Sequence, residues 1–66
     1  MNEVYVVLFD DGSVIGVAST RDKADKIVKD DIDNTSWSES EKMREWADYR
    51  NNNNSLWFVE KVPFEG

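Results

Sequence analysis

The chain has 66 residues, a formal net charge of −6, and neither cysteine nor histidine. These absences exclude disulfides, thiolate metal sites and nucleophilic triads, and they remove the usual general base at neutral pH. The negative net charge disfavours binding to nucleic-acid phosphates and to anionic membranes. It is compatible with solubility and with binding to basic partners. We expect one cytoplasmic domain, residues 1–66, that is not an enzyme, needs no cofactor or metal, and binds neither nucleic acid nor membranes directly.

The first predicted element is a β-hairpin. Residues 4–9 are a run of β-branched and aromatic side chains, which favours a strand. The pair Asp11-Gly12 is a strong signal for a hairpin turn, because glycine tolerates positive φ. Residues 14–18, Val-Ile-Gly-Val-Ala, then form the returning strand.

A helix capped by Ser19 or Thr20 follows the hairpin. Its apolar side chains recur at helical spacing and predict one buried stripe, which consists of Ala24, Ile27, Val28 and Ile32. A polar, acidic stretch over residues 30–36 ends the helix. This stretch is not an EF-hand calcium loop, because Ser36 stands in place of the turn glycine and Lys42 in place of the bidentate glutamate.

A second helix begins at the capping box Ser38-x-x-Glu41. Its predicted apolar stripe is Met43, Trp46 and Ala47, with Tyr49 alongside. The asparagines at 51–54 stop this helix, because asparagine favours turns and left-handed caps. Residues 56–62 form the third strand, and Pro63 limits its continuation.

These elements predict an α+β fold in the order β-β-α-α-β, with a three-stranded sheet and the helices packed mainly on one face. Two short helices can cover only one face of such a sheet, although both faces are apolar. The second face is then exposed, and exposed apolar patches usually mark contact sites. The alternatives are one helix on each face, or aromatic side chains that shield the back of a thin sheet.

The length of the hairpin loop fixes the pairing of the first two strands, and this pairing determines which side chains share a face of the sheet. We take a two-residue loop. It pairs Leu8 with Ile15 and Val6 with Val17 on an aliphatic side, which matches the helix stripes and is the expected core. The pairs on the opposite side are Phe9 with Val14, Val7 with Gly16, and Tyr5 with Ala18. That opposite side is expected to contact a partner, and its candidate contact residues are Tyr5, Phe9, Trp57 and Val59. A longer turn would shift this register.

Three acids, Glu41, Glu45 and Asp48, lie on one side of the second helix at four- and three-residue spacing. Because they lie away from the predicted apolar stripe, we expect them to be solvated and to steer a partner by charge. An alternative is that they mimic nucleic acid and block a DNA-binding protein, although basic residues are interleaved with them. A further alternative is that the three acids only keep the protein soluble.

The first third of the chain resembles a group of small uncharacterised phage and bacterial proteins. The shared pattern is Val-Tyr-Val-Val at 4–7, Asp-Gly at 11–12, Ile-Gly-Val-Ala-Ser-Thr at 15–20 and Lys-Ala at 23–24. In size and acidity the chain is also similar to the early proteins with which lytic phages redirect host enzymes. This resemblance implies a phage-encoded protein that binds and inhibits or redirects a host protein, and it carries over no functional residues. The alternative is a structural or regulatory homodimer, since so short a chain buries little surface by itself.

Overall fold

The computed structural model describes residues 2–64 and confirms the predicted element order. The elements are β1 (Asn2–Phe9), β2 (Val14–Ala18), α1 (Arg21–Asp33), α2 (Glu39–Arg50) and β3 (Trp57–Phe64). The strands form one antiparallel sheet in the order β2-β1-β3, so β1 is the central strand. The predicted domain also includes residues 1, 65 and 66, which lie outside the described residues.

The hairpin loop comprises residues 10–12 and is one residue longer than predicted. The N–H of Gly12 donates to the carbonyl of Phe9 at 2.8 Å, and the N–H of Phe9 donates to the carbonyl of Ser13 at 2.9 Å. Gly12 has a φ of +87°. A left-handed residue at this position closes a three-residue loop after a type I turn, and glycine adopts that conformation without steric cost.

A β-bulge in β2 compensates for the longer loop. Leu8 pairs with Val14 next to the turn, whereas Val7 pairs with Gly16, so Ile15 is the extra residue. The predicted pairs Leu8–Ile15 and Phe9–Val14 are therefore wrong. Beyond the bulge the register is as predicted, with the pairs Val7–Gly16, Val6–Val17 and Tyr5–Ala18.

Helix α1 begins and packs as predicted. The side chain of Thr20 caps it by accepting a hydrogen bond from the N–H of Lys23 at 3.2 Å. The predicted stripe is buried, with Ile27 packed at its margin. Among the residues that the structure describes, the buried core consists of Val7, Ala18, Ala24, Val28, Ile32, Tyr49 and Trp57.

Helix α2 also begins and ends where the sequence predicts. Ser38 caps its start, where the hydroxyl oxygen accepts the N–H of Glu41 at 3.3 Å. At its end Asn52 has a φ of 57°, and the N–H of Asn53 donates to the carbonyl of Asp48 at 2.8 Å. This is a Schellman motif, in which a left-handed residue satisfies the last carbonyls of the helix.

The predicted apolar stripe of α2 is wrong. Met43 is 71% exposed and Ala47 is exposed, whereas Tyr49 is buried and Trp46 is half-buried. The reason is that α2 packs on α1 and makes few contacts with the sheet. Its buried and half-buried residues include these aromatic rings together with the charged side chains of Lys42, Glu45 and Asp48.

The predicted assignment of the two sheet faces is reversed. Helix α1 lies over β1 and β2 on the side of Val7 and Ala18, which are both buried. Val17, which was predicted to be in the core, is 58% exposed. The composition of the two sides did not reveal this, because both sides are apolar. The helices cover the side with the larger aromatic rings.

Candidate interaction surface

One face of the sheet carries no helix, and we call it the open face. Residues directly opposite each other in an antiparallel pair point to the same side, and side chains alternate along each strand. Because Val6 pairs with Val17 on β2 and with Glu60 on β3, the alternate residues around these three share that side. The open face therefore consists of Val4, Val6, Leu8, Val14, Val17, Phe58, Glu60, Val62 and Phe64.

The open face carries most of the exposed large hydrophobic side chains among the described residues. Among residues 2–64, six large hydrophobic side chains are exposed, and Met43 is the one that lies elsewhere. The other five are Val14, Val17, Phe58, Val62 and Phe64. Scattered single hydrophobic residues are normal on a protein surface, but a contiguous set on one face marks a site of contact.

Among the described residues, one carboxylate interrupts this apolar face. Glu60 lies midway along β3, between Phe58 and Val62 on the same side and opposite Val6 on the central strand. It is exposed, and it takes part in none of the ion pairs found among the described residues. The neighbouring pair Glu3–Lys61, at 3.7 Å, lies on the opposite side of the sheet.

The four predicted contact residues of the sheet lie on the covered face, so their predicted exposure is wrong. Trp57 is 2% exposed, and its indole N–H donates to a carboxylate oxygen of Asp31 at 2.8 Å. Its ring packs edge-on against Phe9 at 5.1 Å and against Trp37 at 5.7 Å. Tyr5, Phe9 and Val59 are half-buried against the core. The reason is that helix α1 docks on this side of the sheet.

The acidic side of α2 is only partly solvated. Glu41 is exposed as predicted, but Glu45 and Asp48 are half-buried. The Oε2 atom of Glu45 is buried and has no hydrogen-bond partner among the described residues. Two cations, Lys29 and Arg50, lie 5.9 and 5.5 Å from the Trp46 ring on the same flank of the molecule. The helix therefore presents a mixed-charge surface.

Sequence reasoning missed two acids of α1 that hold aromatic side chains. Asp31 accepts the indole N–H of Trp57, and Asp25 accepts the hydroxyl of Tyr49 at 2.5 Å and the Nε–H of Arg21 at 3.1 Å. Burial raises the pKa of Tyr49 to about 12, and the hydrogen bond to Asp25 adds to this rise. Both acids flank the buried stripe of α1, which is the signal that could have identified them.

A groove of about 550 Å³ lies beside β3, which is an edge strand, and its lining also includes Leu8, Phe58 and Glu60. It is lined on one side by Trp57 and Val59 and on the other by Tyr49, Arg21 and the asparagine loop after α2. Among residues 2–64, no group of three or more acidic side chains is arranged to hold a metal ion.

None of the helices described in residues 2–64 has the length and apolar character needed to cross a membrane.

The fold and its surface define an α+β protein whose sheet is packed on one side and open on the other. No protein-family model matches the chain, and no curated protein or solved structure matches it either. The open face is therefore the feature on which a functional argument rests.

Proposed function

We propose that this protein acts by binding a partner protein through the open face, without catalysing a reaction. The observation that carries the proposal is the concentration of five exposed large hydrophobic side chains on one side of the sheet. With about 3.3 Å per residue and about 4.8 Å between strands, this face covers roughly 330 Å². Contiguous exposed apolar patches on monomeric proteins are often functional.

The identity of the partner is a further part of the proposal. The resemblance of residues 4–24 to small phage proteins supports a host protein as the partner, inhibited or redirected by binding. A regulatory homodimer would use the same face. An acidic nucleic-acid mimic has less support, because Glu45 and Asp48 are half-buried and Arg50 lies among the acids of α2.

Site-specific photo-crosslinking in the cells that make the protein tests this proposal. A photoreactive amino acid replaces Val17 or Phe58 on the open face, and the matched controls replace Lys26 on α1 or Met43 on α2, which are also exposed. We expect one and the same partner to be cross-linked from positions 17 and 58 and not from the helix positions. Equal labelling from the helices, or none from the open face in a folded protein, would contradict it.

A further inference from the structure

We infer that Glu60 selects what the open face binds: it rejects a second copy of this chain and favours a partner whose apolar contact surface carries a basic side chain. This inference rests on the proposed function, and it specifies the chemical character of the partner's contact surface. It starts from the position of Glu60, the one charged side chain on the open face among the residues whose side chains the structure describes.

The surroundings of Glu60 offer its carboxylate no partner within the face. Its nearest neighbours on that side, Phe58, Val62 and Val6, have no hydrogen-bond donor in their side chains. The adjacent cation, Lys61, lies on the other side of the sheet beside Glu3. The carboxylate is therefore satisfied by water as long as the face is open.

Any protein that covers the open face must remove that water. A carboxylate buried without a partner is strongly unfavourable, whereas one that meets Lys or Arg recovers the lost hydrogen bonds as an ion pair. A purely apolar surface would therefore bind poorly, even though it matched the rest of the face. The favoured occupant has apolar side chains around one basic group.

A second copy of the chain has the wrong charge for this position. In a two-fold symmetric pair, residues near the axis meet their own copies. Glu60 lies midway along the edge strand β3, so a face-to-face dimer whose two-fold axis crosses the strands at this level would bring two carboxylates together between chains that each carry −6.

Mixing the protein with its own Glu60→Lys variant tests the inference without knowledge of the natural partner. The variant presents the same apolar face with a basic group at position 60, so the lysine of one chain can pair with the carboxylate of the other. The matched control is Asp30→Lys, which makes the same charge change at an exposed position of α1. The readout is the mass at equilibrium, by sedimentation from low to hundreds of micromolar concentration.

We expect wild type and Glu60→Lys each to remain near 7.7 kDa when alone, and the mixture to form a heterodimer that salt weakens. The affinity of the mixture should exceed that of either self-association by about tenfold or more. The mixture with Asp30→Lys should stay monomeric. As a second variant, Glu60→Val should self-associate at least about tenfold more tightly than wild type, because it removes the carboxylate pair.

Two results would overturn the inference. If wild type dimerises as tightly as the mixture, a second copy is an accepted occupant and Glu60 does not reject it. If both the mixture and Glu60→Val stay monomeric, the charge at position 60 does not control the face. Neither result bears on the cross-links from positions 17 and 58, which test separately whether the face is used at all.

Discussion

The two faces of this sheet are similar in apolar content and opposite in role. On the covered face, Val7 is fully buried, and Trp57 is fixed both by packing and by its hydrogen bond to Asp31. On the open face, the adjacent residue Phe58 is 48% exposed and has no helix above it. The comparison shows that an apolar side chain alone does not identify the core. The covered face is distinguished by polar groups on α1, which form hydrogen bonds with its aromatic side chains.

The largest predicted effect is a difference in the loss of unfolding free energy between alanine variants of the neighbouring residues Trp57 and Phe58. Trp57→Ala removes the ring that contacts Phe9 and Trp37, and we expect it to cost about 3–5 kcal/mol of unfolding free energy. A chain of this size has roughly 3–10 kcal/mol in total, so this variant should be largely unfolded. Phe58→Ala should cost less than about 1 kcal/mol, because the side chain is already half in water. Urea denaturation of both variants makes the comparison, and equal losses would contradict the face assignment.

The second prediction concerns the carboxylate that holds Trp57. Asp31→Ala leaves the indole N–H without its partner, and we expect a loss of about 1–3 kcal/mol. Asp31→Asn keeps an acceptor oxygen and should cost less. The matched control is Asp30→Ala, one residue earlier and exposed, which should change unfolding free energy by no more than about 0.5 kcal/mol. If Asp30→Ala costs as much as Asp31→Ala, the hydrogen bond is not the cause.

The third prediction is a pH dependence from Tyr49. Its pKa is about 12 in the folded protein and 10.0 as an ordinary tyrosine, so folding favours the neutral form. The resulting stabilisation is complete below pH 10 and is lost as the pH rises from 10 towards 12. Denaturation of wild type and Tyr49→Phe at several pH values measures it. The difference in stability between the two should shrink over that interval, and a constant difference would show that the hydroxyl has an ordinary pKa.

The smallest predicted effect is on the open face. Val17→Thr keeps the β-branched shape and replaces a methyl group with a hydroxyl at a position that is already exposed. We expect unfolding free energy to change by no more than about 0.5 kcal/mol. Binding of the apolar dye ANS to the folded protein should decrease, since the dye reports exposed apolar surface. A clear loss of stability without a change in dye binding would indicate that Val17 packs against another part of the chain.

The element order was predictable because its signals are local. The cap at Thr20, the capping box at Ser38 and the asparagine run after Arg50 each act on the backbone within a few residues. The stripe of α1 was predictable for the same reason, since its spacing matches the helical period.

The choice of sheet face could not be predicted in this way. It depends on where α1 docks, and the alternation along a strand does not encode this, because both sides of the strands are apolar. The apolar stripe of α2 was mispredicted because this helix packs on another helix and not on the sheet. The roles of Asp25 and Asp31 depend on aromatic residues 24 and 26 positions further along the chain. An exposed apolar face was foreseen, but its residues were not.

The most direct test of the central claim measures stability and partner binding on the same variants. The double variant Phe58→Ser/Val62→Ser changes the open face, and Val7→Ala changes the covered face of the same sheet. We expect the double variant to keep its unfolding free energy within about 1 kcal/mol of that of wild type. It should nevertheless lose about tenfold or more of its affinity for the partner identified by cross-linking, whereas Val7→Ala should lose stability and still bind when folded. A folded double variant that binds this partner as tightly as wild type would contradict the claim.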